Sequence, residues 1–278
     1  MPAIITSKTR AIYERPPSGR VVVNLGCLQA QGLYSFWSAQ EENRETALDL
    51  MGRFSIAYAE NVPSRDAGPG GWAFGSLGTS NASYLSSATI TTAVPFTVSA
   101  WFNSTSFASA STLFSVGVSS DRFTLGINTA GTIFATARQA NSSATATTTA
   151  ASTTGEWWHG AAVFDSATQR AAWLNGGDKT SNTTSKTPDA GSMADTGIAR
   201  LGAGTSFLKG RMAHVCFWNR ALSDAEMYRL WDPPTRWELY YQPGLVVYPR
   251  PAAAAATGYH NKLQGQKMQS KKLLGRVA

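Results

Sequence analysis

Few residues in this 278-residue chain have the types and spacing that chemistry needs. Acidic side chains gather at Glu41, Glu42 and Glu45, in a polar stretch whose spacing suits a solvated loop rather than one strand face. His159 and His214 fall inside apolar, strand-like runs beside Trp158 and Val215. An imidazole in that setting reads as packed and hydrogen-bonded, not as a general base. Serine is abundant, but no Gly-x-Ser-x-Gly elbow accompanies it. No Cys-x-x-Cys or paired-histidine spacing suits a metal. Asp121, Asp165, Asp178 and Asp195 are loop candidates for Ca²⁺. That ion wants about six to eight oxygens, usually from several carboxylates, and these four stand far apart in sequence. The expectation is no catalytic residue, no metal and no cofactor, with Ca²⁺ the one ion left open. Cys27 and Cys216 read as buried free thiols, a disulfide remaining open.

Aromatic residues offer a different chemistry, because a flat ring can stack on a sugar. Trp101, Trp157, Trp173 and Trp218 lie in strand-like runs and are expected to fill the core. Trp72 and Trp237 lie in Gly/Pro-rich and post-helix segments and are the candidate carbohydrate-binding residues.

The elements that must hold these residues are mostly strands. Hydrophobic residues make up 43% of the chain and charged residues only 15%, against roughly 25% in an average soluble protein. The runs PFTVSAWFNS (95–104), TLFSVGV (112–118), RFTLGIN (122–128) and TIFATAR (132–138) follow one another across short turns. This is the spacing of an antiparallel sandwich or barrel. The Ser/Thr/Ala tract 140–154 reads as flexible or as a plain edge strand. WWHGAAVFD (157–165) and RAAWLNGG (170–177) predict a hairpin. In FLKGRMAHVCFWN (207–219), Met212, His214, Cys216 and Trp218 alternate with Ala213, Val215 and Phe217. Ser223-Asp224-Ala225-Glu226 is a capping box that opens one short helix, and Pro233-Pro234 ends it. Strands and helices do not alternate, which disfavours a parallel α/β fold.

The net charge of +7 sits at the two ends. Residues 1–19 are an expected extended arm, with Pro16-Pro17 and the basic Arg10 and Arg15. Residues 250–278 are an expected basic tail carrying Arg250, Lys262, Lys267, Lys271, Lys272 and Arg276 without an acid. Alone, such a segment should be disordered. These residues are the candidate docking contacts, and 20–249 is the expected sandwich domain. Nucleic acid is the weaker partner for the tail, which lacks interleaved aromatics beyond Tyr259. No apolar run reaches about 18 residues, so no membrane span is expected. The opening MPAIITSKTR has no apolar stretch of the secretory type.

Three segments resemble laminin G-like jelly rolls of the concanavalin A-like superfamily. They are PFTVSAWFNS with GEWWHGAAVFD, then AAWLNGG, then GRMAHVCFWNRALSDAEMYRLW, the closing strand plus capped helix. The resemblance covers roughly 20–245. It implies an all-β, antiparallel jelly-roll β-sandwich with one short C-terminal helix and terminal arms. Glucanases of that superfamily use Glu-x-Asp-x-x-Glu or Glu-x-Asp-x-Glu on one strand, and no strand here has it. TRAIYERPPSGRVVVNLGCLQAQGLYSFW and DPPTRWELYYQPG resemble the opening and ending of laminin G-like proteins of tailed bacteriophages and prophages. That narrower resemblance implies a non-enzymatic virion structural protein, a capsid decoration or tail component made in the host cytoplasm. Its expected partners are a major capsid or tail protein and further copies of itself, with a host-surface glycan on an exposed face. A lectin-type receptor-binding or adhesion module is the alternative.

Overall fold

Period-two alternation decides which strand faces meet. In the computed structural model the described residues are 22–39, 45–58, 61–78, 83–86, 88–91, 93–202 and 206–241. Arg10, Arg15, Arg250, Lys262, Lys267, Lys271, Lys272 and Arg276 lie outside them, as do Glu41, Glu42 and the whole of both expected arms. The larger sheet runs in the order β15 (Asp178–Asn182), β14 (Gln169–Leu174), β13 (Trp158–Ser166), β8 (Phe96–Ser104), β17 (Gly210–Trp218), β6 (Gly71–Leu77) and β5 (Ser64–Gly68). β2 (Leu33–Trp37) lies beside the end of β17. The smaller sheet runs β12 (Ser142–Ala151), β11 (Thr132–Gln139), β10 (Arg122–Ile127), β9 (Ser111–Gly117), β16 (Thr196–Ile198) and β7 (Tyr84–Ser86). β3 (Thr46–Ala47) pairs with β4 (Ile56–Ala57), and β1 (Val22–Val23) pairs with β18 (Tyr240–Tyr241). The ladders are antiparallel, as expected for a jelly-roll sandwich.

Between the sheets, Phe96, Phe164 and Phe217 of the larger meet Phe114, Phe123 and Leu125 of the smaller. The Phe96 ring stands edge-on to Phe123 at 5.0 Å and stacks on Phe217 at 5.3 Å, the arrangements that ring quadrupoles favour. The larger sheet is apolar on its other face too. There Val163, Trp173, Cys216 and Trp218 pack under Leu222, Met227 and Leu230, the last two in helix α1 (Asp224–Trp231). The expected capping box is formed at its start, with Ser223 and Glu226 each serving the other's backbone N–H. The Trp218 indole donates to the carbonyl of Gln29 at 2.7 Å, tying an N-terminal turn to this layer. Val23 and Leu239 belong to the same layer, so β1 and β18 lie on the side of the larger sheet that faces away from the smaller one.

The tract 142–151 is a full edge strand. The hairpin β13–β14 forms across Ala167-Thr168, and the next turn, from β14 into β15, uses Asn175 at φ 50° and Gly176 at φ 67°. Gly210 lets β17 approach β8, since a Cβ there would sit 2.1 Å from the carbonyl oxygen of Asn103. Two readings change. β5 (SRDAG) has no apolar run to announce it, because it is a half-exposed edge strand. In β17 the simple alternation fails. His214, at φ 52°, sits in an irregularity where the register against β8 shifts between Ala213 and Cys216. The extra residue turns the following side chains over. Met212 therefore shares the inter-sheet core with Val215 and Phe217, while Cys216 and Trp218 face the helix layer. Cys27 and Cys216 are free thiols.

Candidate functional site

The outer face of the smaller sheet is polar, and its register sorts side chains into rows. Inward positions of β10, β11 and β12 are apolar: Phe123, Leu125, Ile133, Ala135, Ala137 and Ala146. The alternate positions face out. One row across the strands is Gly117, Arg122, Arg138 and Ser143. The next is Ser115, Thr124, Thr136 and Thr145, and the third is Thr112, Gly126, Phe134 and Thr147. Successive rows are two residues apart, about 7 Å. Arginine, hydroxyl and aromatic rows therefore lie side by side.

Glycine shapes this surface at one point. A Cβ on Gly126 would meet the Phe134 ring at 2.3 Å, so the ring lies across the glycine instead of standing up from the sheet. A groove of about 210 Å³ follows, lined by Arg122, Thr124, Phe134, Thr136, Ser143 and Thr145, with Leu201 and Ser206 at its margin. The Thr136 and Thr145 hydroxyls hydrogen-bond each other at 2.8 Å, and Ser115 donates to the carbonyl of Arg200 at 2.9 Å. Thr124 differs. It is 4% exposed and its Oγ1 has no hydrogen-bond partner. A buried hydroxyl left unpaired costs about 1–3 kcal/mol, so this one calls for an explanation. The groove lining contains no carboxylate. Burial pushes the Arg122 guanidinium below its usual range, and the Arg138 charge adds to the shift.

Trp237 was expected at the surface and is 3% exposed. It stacks on Trp101 at 6.4 Å and 18°, meets His214 and Tyr240 edge-on, and carries the Arg236 guanidinium over its ring. The post-helix segment thus folds down onto the larger sheet, and the Trp237 ring is packing. Trp72 is 42% exposed, with the Arg65 guanidinium 4.1 Å from its ring centroid. Trp101, Trp173 and Trp218 are buried, whereas Trp157 is half-buried.

The two histidines are packed side chains. Burial lowers His159 to about 3 and His214 to about 4, so both are neutral at pH 7. Of the loop aspartates, Asp121 accepts from the backbone N–H groups of Ala140 and Asp189, which holds its carboxyl below the usual range. Asp178 accepts from the N–H of Ala150 at 2.7 Å. Among the described residues no three His, Cys, Asp or Glu side chains gather closely enough to hold a metal ion. No helix among them is long and apolar enough to cross a membrane.

No motif in the sequence marks these rows. Their signal is nonetheless in the sequence: the Thr129-Ala130-Gly131 turn sets Arg122, Thr124 and Gly126 against Arg138, Thr136 and Phe134.

A model of the laminin G type, described as concanavalin A-like lectin/glucanases superfamily, matches residues 77–227. The chain belongs to this superfamily. The match runs from the end of β6 into α1 and includes the smaller sheet from β7 to β16. Two solved structures share the fold. Domain 4 of AbnA, a GH43 extracellular arabinanase from Geobacillus stearothermophilus solved in complex with arabinotriose, matches with a TM-score of 0.56 and 17% identity. It covers 72% of this chain and 98% of that one. Trypanosoma rangeli sialidase, in complex with 2,3-difluorosialic acid as its covalent intermediate, matches with a TM-score of 0.53 and 15% identity. That match covers 81% of this chain but 38% of the sialidase, so this chain spans well under half of that enzyme's length. Identities this low establish a shared fold. No curated protein matches the sequence.

Proposed function

We propose that this superfamily member is a non-catalytic carbohydrate-binding module that takes a glycan on the outer face of its smaller sheet. The observation that carries the reading is the Phe134 ring lying across Gly126 beside a hydroxyl row in which Thr124 Oγ1 has no partner among the described residues. A sugar offers both complements: an apolar ring face and hydroxyls that donate and accept. The fold is shared with a domain solved with arabinotriose, which is compatible with this use, but the residues above carry the argument. A retaining glycosidase needs two carboxylates about 5–5.5 Å apart, and the groove is lined instead by hydroxyls, arginine and an aromatic ring.

The test is a glycan array probed with the full chain and with Phe134→Ala. The reading expects a defined set of glycans bound by the first and lost by the second, with no reducing ends released. No bound glycan, or equal signals from both chains, removes it. Release of reducing ends removes the non-catalytic part.

A second reading concerns where the module sits. Val22 pairs with Tyr241 and Val23 with Tyr240, so the first and last described residues, the roots from which the chain runs on toward the two expected arms, are cross-strand neighbours. Adjacent roots favour arms that act together, which suits docking on a phage capsid or tail lattice as a structural protein, in several copies. Light scattering of the full chain beside a chain lacking residues 1–19 and 250–278 tests this. An assembly formed by the full chain alone supports docking. Identical monomers remove self-assembly from the reading.

A further inference from the structure

The structure assigns to this groove a preference for acidic sugars, those carrying a carboxylate or sulfate, held by Arg122 of its lining and by Arg138, the neighbour of Arg122 on the next strand; the assignment rests on the carbohydrate-binding reading above. The two arginines are direct cross-strand partners. Like charges placed opposite each other on neighbouring strands destabilise a sheet. Among the described residues neither guanidinium is paired with a carboxylate. Arg122 gives a hydrogen bond from Nη1 to the Ser119 carbonyl, and Arg138 gives one from Nη2 to Asn141 Oδ1 at 3.1 Å. Arg138 Nε is buried without a partner. The acid next to Arg122 in sequence, Asp121, spends Oδ1 on the N–H groups of Ala140 and Asp189.

An anion over this pair would neutralise both charges and collect charge-assisted hydrogen bonds, the geometry for which guanidinium groups are suited. The neighbouring row explains why that anion should be part of a sugar. About 7 Å along the strands lies Thr124, 4% exposed, with its unpartnered hydroxyl, and beyond it the Phe134 ring. A pyranose with a charged substituent at one end matches this order of acid, hydroxyl and ring face. A bare anion would use the arginines and leave Thr124 and Phe134 idle.

The test is calorimetric titration of the full chain with five ligands at low salt. They are tri-galacturonate, a heparin-derived tetrasaccharide, neutral galactotriose, sodium sulfate and single-stranded oligothymidylate. We expect one of the acidic oligosaccharides to bind at least about tenfold more tightly than galactotriose, one charge-assisted contact being enough for that factor. The advantage should shrink at 0.5 M NaCl. Arg122→Gln and Arg138→Gln should each remove most of it without lowering Tm, while weak galactotriose binding persists and is lost in Phe134→Ala. A preference for tri-galacturonate marks a carboxylate ligand and a preference for the tetrasaccharide a sulfated one. Equal affinity for acidic and neutral sugars overturns the acidic preference while leaving the glycan site standing. Binding of none of the sugars overturns both. Sulfate binding as tightly as the tetrasaccharide reduces the feature to an ion site and overturns the inference. Single-stranded oligothymidylate binding more tightly than any sugar overturns it in favour of nucleic acid.

Discussion

Nε2 of His214 lies 2.5 Å from the carbonyl oxygen of Pro69. The carbonyl can only accept, so Nε2 carries the proton, and the bond fixes the tautomer of a neutral ring. The ring also fills the space over Gly70, where a Cβ would meet Nε2 at 2.8 Å and the Trp237 ring at 3.0 Å. The irregularity in β17 thus clamps the turn between β5 and β6 to the aromatic cluster of Trp101, Trp237 and Tyr240.

The fold should weaken in mild acid. His159 and His214 have folded-state values of about 3 and about 4, below the ordinary 6.5. A depressed value means that the unfolded chain binds protons first. Stability from each histidine is complete above pH 6.5 and is lost as pH falls toward the folded value. Each should contribute a slope of about 1.4 kcal/mol per pH unit between pH 6 and 4.5. Urea unfolding across that range should show the combined slope in wild type and about half of it in His159→Gln. A flat profile contradicts the buried, neutral state of both rings.

The helix cap supplies a second acid-sensitive element at lower pH. Glu226 accepts from Arg220 and from the Ser223 N–H and hydroxyl. The Arg220 contact, first among these, holds it at about 2, below 4.5. Its contribution is present above pH 4.5 and lost as pH falls toward 2. Ser223→Ala should cost about 1 kcal/mol at pH 7. Glu226→Gln should remove the part of the acid transition below pH 4.5. An unchanged transition in Glu226→Gln would show that the cap does not titrate with folding.

Phe134 and Trp237 should behave oppositely. Trp237→Ala opens a cavity against Trp101 and should cost about 3 kcal/mol or more in denaturant, with glycan binding retained at temperatures where the fold persists. Phe134→Ala removes a surface ring and should change stability by less than about 1 kcal/mol, while binding falls below detection. Reversal of these two outcomes would move the site to the other sheet.

Thr124→Val keeps the shape and removes the unpartnered hydroxyl. Stability should rise, by up to about 1–3 kcal/mol if the desolvation cost is fully relieved. Glycan affinity should fall about tenfold, the value of one hydrogen bond. A variant that is both less stable and unchanged in binding would show that Thr124 has a partner within the folded chain.

Much of the sandwich was legible because local signals agreed with it. Short turns fixed the meander from β9 to β11, and the Ser223–Glu226 spacing fixed the helix start. Strand β17 was legible in position but not in facing, since a single added residue leaves the apolar pattern intact while inverting the side chains after it. Trp237 was misplaced for a similar reason. A tryptophan after a Pro-Pro helix stop reads as exposed unless the chain is known to fold back, and that return depends on contacts with Trp101 and His214, far away in sequence. The site itself lay in ordinary threonines and arginines. Their meaning comes from cross-strand register, which hairpin turns specify only after the strands are aligned.

The pairing of Val22 with Tyr241 places both roots on the helix-covered side, behind the larger sheet, whereas the groove opens in front of the smaller one. The module therefore has a mounting side and a display side. A dye, a bead or a sensor surface joined at either root would leave the groove facing away from the attachment. Two modules joined root to root would present grooves in opposite directions, a geometry suited to cross-linking glycan chains and not to gripping one chain twice.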